Sequence, residues 1–126
     1  MQVNMITMND YQEKAMITCL PSCNNMVYAL SELNAEVGEF NDKIAKWVRK
    51  GICRIDNNQL VFNTTDEAEA NAYRLELIKE LGDIQWSIAL ASKLLGYDLG
   101  DVGKINLDKL RDRARRGVID GNGDNR

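Results

Sequence analysis

The sequence predicts an all-α fold, a helical bundle of about four to five helices with a small β-hairpin insertion. Two long segments repeat apolar residues every three or four positions, which is the period of one helical face. Proline occurs once, at Pro21, and many of the glycines fall at the ends of these segments. The two longest helices would measure roughly 35–45 Å. We therefore expect residues 1–126 to form a single domain whose bundle is completed by oligomerisation, as a homodimer or homotetramer.

The first two helices are marked by their ends and by one apolar face. The first should begin after Asn9 or Asp10 and run to Ile17, because Pro21 cannot continue a helix. The second should span about residues 25–50. Its apolar positions are Leu30, Leu33, Val37, Phe40, Ile44 and Trp47.

A β-hairpin is predicted over residues 52–62, where two apolar runs flank Asp-Asn-Asn at residues 56–58. Asparagine tolerates the positive φ that a tight turn requires, although an irregular loop is the alternative. The third helix should begin near Thr64 or Thr65, because Thr64 and Glu67 have the spacing of a capping box. Its apolar positions are Leu77, Leu81, Ile84, Ile88, Ala91 and Leu95.

The last predicted helix follows a glycine and ends at another. Gly96 closes the third helix, and Asp98 is expected to cap a fourth that continues towards Gly117. Its apolar positions are Val102, Ile105, Leu107 and Leu110. Residues 118–126 are polar, contain glycine and show no helical periodicity, so no further helix is expected there.

The amino-acid composition disfavours nucleic-acid-binding and membrane proteins. The net charge is −3 and the sequence pI is about 5.0, which disfavours general binding of nucleic acids. No basic segment followed by an apolar run opens the chain, and no stretch reaches the roughly 20 apolar residues of a membrane helix. A cytoplasmic protein that binds no membrane is expected, with its three cysteines reduced.

Histidine is absent, which excludes several kinds of catalytic and metal site. Nucleophiles activated by histidine, zinc sites with histidine ligands and the di-iron site of helical bundles all require that residue. Any metal would therefore be held mainly by oxygen ligands, which favours magnesium, manganese or calcium.

Two short segments carry the candidate chemistry. Residues 36–39 read Glu-Val-Gly-Glu and residues 80–83 read Glu-Leu-Gly-Asp. Positions i and i+3 share a helical face, so each segment presents two carboxylates beside its apolar face. If these faces pack together, four carboxylates converge, and their repulsion requires a cation. The four are Glu36, Glu39, Glu80 and Asp83.

The glycines within the two acidic segments, Gly38 and Gly82, are expected to let the helices approach closely. The alternative interpretation is that the acids are ordinary surface groups, with Glu39 paired to Lys43 one turn away. Two matched pairs beside apolar faces favour the metal site over that alternative.

Basic residues near these segments could bind a polyphosphate. Lys43, Lys46 and Lys50 follow Glu39 at helical steps on the second helix. On the fourth helix, Lys104 and Asn106 precede Lys109 and Arg113, which lie one turn apart. Each of these cations could equally be a solvated surface charge.

With these motifs the chain resembles the MazG-like branch of the all-α nucleoside triphosphate pyrophosphohydrolases. The family signature is Glu-x-x-Glu on one helix and Glu-x-x-Asp on a later one, matched here at residues 36–39 and 80–83. Residues 46–47 (Lys-Trp), the pattern Asn106-x-x-Lys109-x-x-x-Arg113 and the ending at residues 116–126 are also similar.

The resemblance implies a hydrolase that converts a nucleoside triphosphate into the monophosphate and pyrophosphate. Mg²⁺, or Mn²⁺ in its place, would be bound by the four carboxylates and would activate a water that attacks the α-phosphorus. Glu36 or Glu39 would be the catalytic base. A deoxynucleoside triphosphate is the expected substrate. Its phosphates would be bound by Lys43, Lys46, Asn106, Lys109 and Arg113.

One departure concerns the base of the nucleotide. More residues separate Glu39 from Glu80 than in short family members, and the hairpin with residues 66–69 accounts for the excess. This insertion could line or cover the base pocket. The candidates for stacking on a base are Tyr11, Trp47 and Trp86, although aromatic residues at helical spacing more often belong to the core.

Two other functional classes compete with the hydrolase. A non-enzymatic helical interaction module would have the same apolar faces but no reason for inward-facing acid pairs. A nucleic-acid-binding protein could use its arginines, but the acidic composition counts against it. Those arginines are Arg111, Arg113, Arg115 and Arg116.

Overall fold

The computed structural model describes residues 4–126, which form four α-helices and one β-hairpin. The elements are α1 (Met8–Met16), a 3-10 turn (Pro21–Cys23), α2 (Met26–Arg49), β1 (Cys53–Asp56), β2 (Gln59–Phe62), α3 (Glu67–Leu94) and α4 (Leu99–Arg116). The all-α fold with a small hairpin insertion is thus confirmed. No helix in the described range has the length and apolarity needed to cross a bilayer.

The start of α2 follows the prediction, whereas α1 begins earlier than expected. Asn25 caps α2 by accepting a 2.8 Å hydrogen bond from the backbone N–H of Tyr28. Thr7 caps α1 in the same way, so that helix begins at Met8 and not after Asn9 or Asp10. Its hydroxyl satisfies a backbone donor that would otherwise be unpaired at the start of a helix.

The predicted capping box of α3 is wrong. Asp66 caps this helix by accepting from the backbone N–H of Ala68, and the Thr64 hydroxyl accepts instead from the backbone N–H of Asp66. Glu67 is then the first helical residue and pairs with Arg74 at 2.9 Å. A carboxylate is among the best N-cap groups, so Asp66 displaces the threonine two residues before it.

Two apolar clusters hold the helices together. The first joins α1, the start of α2, the second half of α3 and the start of α4. Its buried members are Met16, Ala29, Ala89, Leu90 and Leu99. The second joins the end of α2, the hairpin and the first half of α3. Its buried members are Trp47, Cys53, Phe62, Ala70 and Leu77.

The apolar faces predicted for α2 and α3 are only partly buried. Val37 is 41% exposed, and Leu81 and Ile88 of α3 are 46% and 39% exposed. The single inward face predicted for α3 is therefore wrong. The helix instead presents different sides to the two clusters, which leaves an apolar strip of α3 facing outwards within one chain.

Candidate active site

The candidate site lies where α2 and α3 pack against each other in antiparallel directions. Near the end of α2, Trp47 contacts Tyr73 of α3 with ring centroids 5.1 Å apart. Near its start, Tyr28 meets Trp86 edge to face at 6.4 Å. The two acidic segments fall between these aromatic contacts, so the pairing of the helices brings them opposite each other.

Three of the four predicted carboxylates converge. One oxygen from each of Glu36, Glu80 and Asp83 lies within 4.8 Å of the others, with Glu36 and Glu80 half-buried and Asp83 exposed. Glu39 is outside this group and lines a neighbouring groove on the side of Lys43. The rotation of α2 directs Glu36 towards α3 and leaves Glu39 at the edge.

The electrostatics of this group favour a cation. Burial raises the pKa of Glu36 from its ordinary 4.5 to about 7, assisted by a hydrogen bond with Glu32 and by the charges of Glu39 and Asp83. In the described part of the chain, the Oε2 atoms of Glu36 and Glu80 are buried without a hydrogen-bond partner. Unpaired buried acceptors are costly, and a hard cation would satisfy both.

Glu32 is a member of the site that the sequence did not single out. It lies one turn before Glu36, and its carboxyl shares a hydrogen bond with that residue. The i,i+4 spacing was a visible signal, but acids at that spacing are also common on solvated helix faces.

Lys43 and Lys46 lie along the groove beside the carboxylates. The ammonium of Lys43 pairs with Glu80 at 2.9 Å and with Glu76 at 3.8 Å, and the Glu80 contact is the main cause that raises the pKa of Lys43. Lys46 pairs with Asp42 at 2.6 Å. The groove encloses about 300 Å³ and includes the side chains of both lysines.

A second cavity, of about 320 Å³, opens on the other side of the carboxylates. It is lined by Thr18, Tyr28, Glu32, Glu36, Asp83 and Trp86. The indole N–H of Trp86 lies within hydrogen-bond distance of the Ala15 carbonyl, at 3.2 Å, and of the Thr18 hydroxyl, at 2.9 Å. Trp86 is therefore fixed at the rim of this cavity.

Of the other two aromatic candidates, Tyr11 lies beside the carboxylates and Trp47 lies in the core. Trp47 is 8% exposed within the second apolar cluster, in contact with Phe62 and Tyr73. The Tyr11 hydroxyl lies 3.5 Å from the Gly82 carbonyl, and burial followed by the charge of Asp83 raises the pKa of Tyr11. Tyr11 thus borders the carboxylates, whereas Trp47 belongs to the core.

The predicted phosphate ligands of α4 lie apart from the carboxylates. Asn106 and Lys109 line a cavity of about 290 Å³ together with Ser92 of α3. Ser92 lies nine residues after Asp83, a distance of roughly 14 Å along the helix. Arg113 is buried and, like Lys109, pairs with Asp124. Within one chain, Lys109 and Arg113 therefore contact the C-terminal segment and not the acidic group.

Close approach of the helices at Gly38 and Gly82 was predicted and is wrong. A Cβ atom added to either glycine would meet nothing within 4 Å in the described part of the chain. Both residues are exposed because they lie on the outer sides of α2 and α3. Neither glycine is needed for the contact that brings the carboxylates together.

Comparisons with known proteins agree with these features. A family model described as the MazG nucleotide pyrophosphohydrolase domain matches residues 25–118, which include all three converging carboxylates. The Gene 37 protein of Mycobacterium phage L5 is 33% identical over 105 residues, covering 83% of this chain and 80% of that protein. No solved structure matches the chain significantly.

Proposed function

Because the chain belongs to the MazG nucleotide pyrophosphohydrolase family, we propose that it is a Mg²⁺-dependent enzyme that hydrolyses a nucleoside triphosphate to the monophosphate and pyrophosphate. The observation that carries the proposal is the convergence of Glu36, Glu80 and Asp83, whose oxygens lie within 4.8 Å of one another. Two of these residues have a buried oxygen without a partner in the described structure.

The donor set fits magnesium. All three groups are carboxylates, and a hard cation with oxygen ligands is the natural occupant of such a site. Mg²⁺ usually takes few protein ligands and completes its coordination with water and substrate phosphates. Asp83 is exposed, so the site is accessible to a triphosphate. Mn²⁺ has similar ligand preferences and is the expected substitute.

We assign metal binding and proton transfer to different carboxylates. A bound Mg²⁺ would neutralise developing charge on the phosphates and lower the pKa of a water molecule. Glu36, Glu80 and Asp83 would hold the metal. Glu39 lies beside Glu36 but outside this group, so its carboxylate is free to accept the proton of the attacking water.

The substrate is proposed to extend along the α2 groove. Lys43 and Lys46 line this groove next to the proposed metal ligands and would contact phosphate oxygens there. Asn106, Lys109 and Arg113 of α4 complete the phosphate site. A deoxynucleoside is the proposed sugar and base portion, and Trp86 at the rim of the adjoining cavity is placed to contact the base.

A homodimer is proposed, because α4 of one subunit could then lie beside the carboxylates of the other. Within one chain the α4 cations lie far along α3 from Asp83, and the outward side of α3 carries exposed apolar residues. Association through this side would cover the apolar strip and could bring α4 of a second subunit to the acidic group.

The test is product analysis with a panel of ribo- and deoxyribonucleoside triphosphates in the presence of Mg²⁺. We expect monophosphate and pyrophosphate from the wild type, and none when EDTA is added. Glu80→Gln should lose activity by at least about a hundredfold and also bind Mn²⁺ more weakly, because a metal ligand is removed. Glu39→Gln should lose activity by about a hundredfold while Mn²⁺ binding changes little.

Glu13→Gln is the matched control, since this exposed acid of α1 lies outside the carboxylate group. It should retain both activity and metal binding. Release of diphosphate and orthophosphate would contradict attack at the α-phosphorus. If no triphosphate is hydrolysed and no metal binds, a non-enzymatic interaction module becomes the better description.

A further inference from the structure

The C-terminal segment, residues 118–126, folds back along α4 on a defined path. Its backbone closes a turn through a 2.9 Å hydrogen bond from the Gly121 N–H to the Val118 carbonyl. Arg126 Nε donates to that same carbonyl at 3.1 Å, and the Arg126 carbonyl accepts from the guanidinium of Arg116. A Cβ at Gly121 would lie 2.7 Å from Arg126 Cδ and 3.1 Å from the Val118 carbonyl oxygen, so the segment packs closely against itself there.

This path places Asp124 on two cations of α4. Arg113 Nη2 donates to Asp124 Oδ1 at 3.1 Å and to the Asp124 carbonyl at 3.2 Å. Lys109 Nζ lies 3.3 Å from the same Oδ1. Hydrogen bonds from Arg113 and then from Lys109 lower the pKa of Asp124, because both cations favour its ionised form.

The two sides of this contact differ in how firmly they are held. The side chain of Arg113 is 6% exposed, whereas that of Asp124 is 83% exposed. Arg113 Nε is buried and has no hydrogen-bond partner among the described residues. Arg113 is therefore held in place with an unused donor, whereas Asp124, like Lys109, lies nearer the surface, where such ion pairs are weak.

A phosphate group is better suited to these donors than the carboxylate is. It carries more charge and more acceptor oxygens, and arginine binds phosphate through several parallel hydrogen bonds. A polyphosphate that reached Lys109 and Arg113 would thus compete with Asp124 for the same atoms.

We propose that Asp124 is an internal competitor for the Lys109–Arg113 pair, so that the C-terminal segment occupies this anion site until the phosphates of the substrate displace it. This inference rests on the proposed function for the identity of the incoming anion. Because the segment is tethered, its effective concentration at the site is high, and it should weaken the binding of every triphosphate alike. It would thus raise the KM for every nucleotide by a similar factor without selecting the base.

The experiment measures binding of inorganic triphosphate to the full chain by calorimetry in metal-free buffer, where no hydrolysis is involved. Asp124→Asn should lower the Kd by about two- to fivefold, the range that corresponds to loss of one exposed ion pair. Lys109→Gln should weaken binding relative to the wild type. In hydrolysis assays, Asp124→Asn should lower KM for all nucleotides by a similar factor while kcat is retained.

Asp120→Asn is the matched control, because it removes the same charge from the same segment but Asp120 makes no ion pair in the described structure. An equal gain in Asp120→Asn would overturn the proposal in favour of a general charge effect. Unchanged or weaker binding in a folded Asp124→Asn variant would overturn it in favour of a structural role. If Asp124→Asn binds inorganic triphosphate more tightly but the protein hydrolyses no nucleoside triphosphate, the internal competition would stand and only the proposed function would be contradicted.

Discussion

The carboxyl group of Glu36 is held between α2 and α3, where burial and three neighbouring acids act on it together. Burial is the largest cause of its raised pKa, followed by the hydrogen bond with Glu32 and the charges of Glu39 and Asp83. A metal would reverse this balance, because a divalent cation favours the ionised form. In its absence, the group should bind a proton near neutral pH.

We predict that the metal-free protein loses stability as the pH rises from about 4.5 to about 7. Below this window Glu36 is protonated in both the folded and unfolded states. Within it, the unfolded state releases the proton before the folded state does, so higher pH favours unfolding. The decrease in the free energy of unfolding due to Glu36 should be on the order of 1–2 kcal/mol, less than the full shift implies because the carboxyl keeps partial contact with water.

Urea titrations at several pH values, with EDTA present, would measure this effect. Glu36→Gln should flatten the pH dependence in this window and stabilise the metal-free protein at pH values above it. Glu67→Gln, which alters an exposed acid of α3, should leave the dependence unchanged. An unaltered slope in Glu36→Gln would show that Glu36 ionises normally in the folded protein.

At the scale of residues, spacing alone predicted much of the acidic group but not its exact membership. Residues three apart share a helical face in any fold, so Glu80 and Asp83 could be paired before their surroundings were known. Which member of the other pair faces α3 depends on the rotation of α2, and spacing does not encode that rotation. Tyr28 was not singled out because one aromatic residue carries no periodic signal.

Among the elements, the hairpin was predicted from its turn. Asn57 and Asn58 both have positive φ, at 52° and 63°, as a tight hairpin turn requires. Register then follows from the turn, and Cys53 pairs with Phe62. Because both residues are buried in the second apolar cluster, the turn also determines what covers the ends of α2 and α3.

We predict that Asn58→Ala lowers the free energy of unfolding by about 1 kcal/mol, since an alanine is strained at positive φ. Asn58→Gly is the matched control and should be neutral or slightly stabilising, because glycine adopts this conformation freely. Urea denaturation of the two variants would check the difference. Equal stability would mean that the turn is not held at positive φ.

The start of α3 shows what local sequence could not determine. Thr64 and Asp66 both carry side chains that can cap a helix, and they stand two residues apart. The spacing to Glu67 favoured Thr64, whereas the folded chain uses Asp66 as the cap and Thr64 to order the turn before it. Competition between nearby caps is decided by the path of the incoming strand, β2, which sequence spacing does not show.

At the scale of the whole molecule, several apolar residues of α3 are exposed and no other part of the described chain covers them. Leu75, Ile78, Leu81 and Ile88 are between 39% and 58% exposed, and the first three follow one another at steps of three along the helix. Contiguous apolar surface of this kind usually marks an interaction site. The spacing of apolar residues by three and four along α3 was visible in the sequence. In the structure these residues serve two contacts: one within the chain and, as we propose, one with a second copy.

We predict that the protein is at least a dimer at micromolar concentration and that Ile78→Lys weakens association on the order of a hundredfold, because it would bury a charge in an apolar interface. Sedimentation velocity over a dilution series would measure this. Ile55→Lys is the matched control: Ile55 is 62% exposed on the hairpin, compared with 58% for Ile78, and should tolerate the charge without dissociation.

If α4 of one subunit contributes to the site formed by the carboxylates of the other, the specific activity of Ile78→Lys should also fall on dilution, whereas that of the control should not. A monomeric wild type that hydrolyses triphosphates would contradict the shared site and require α4 to reach the carboxylates within one chain.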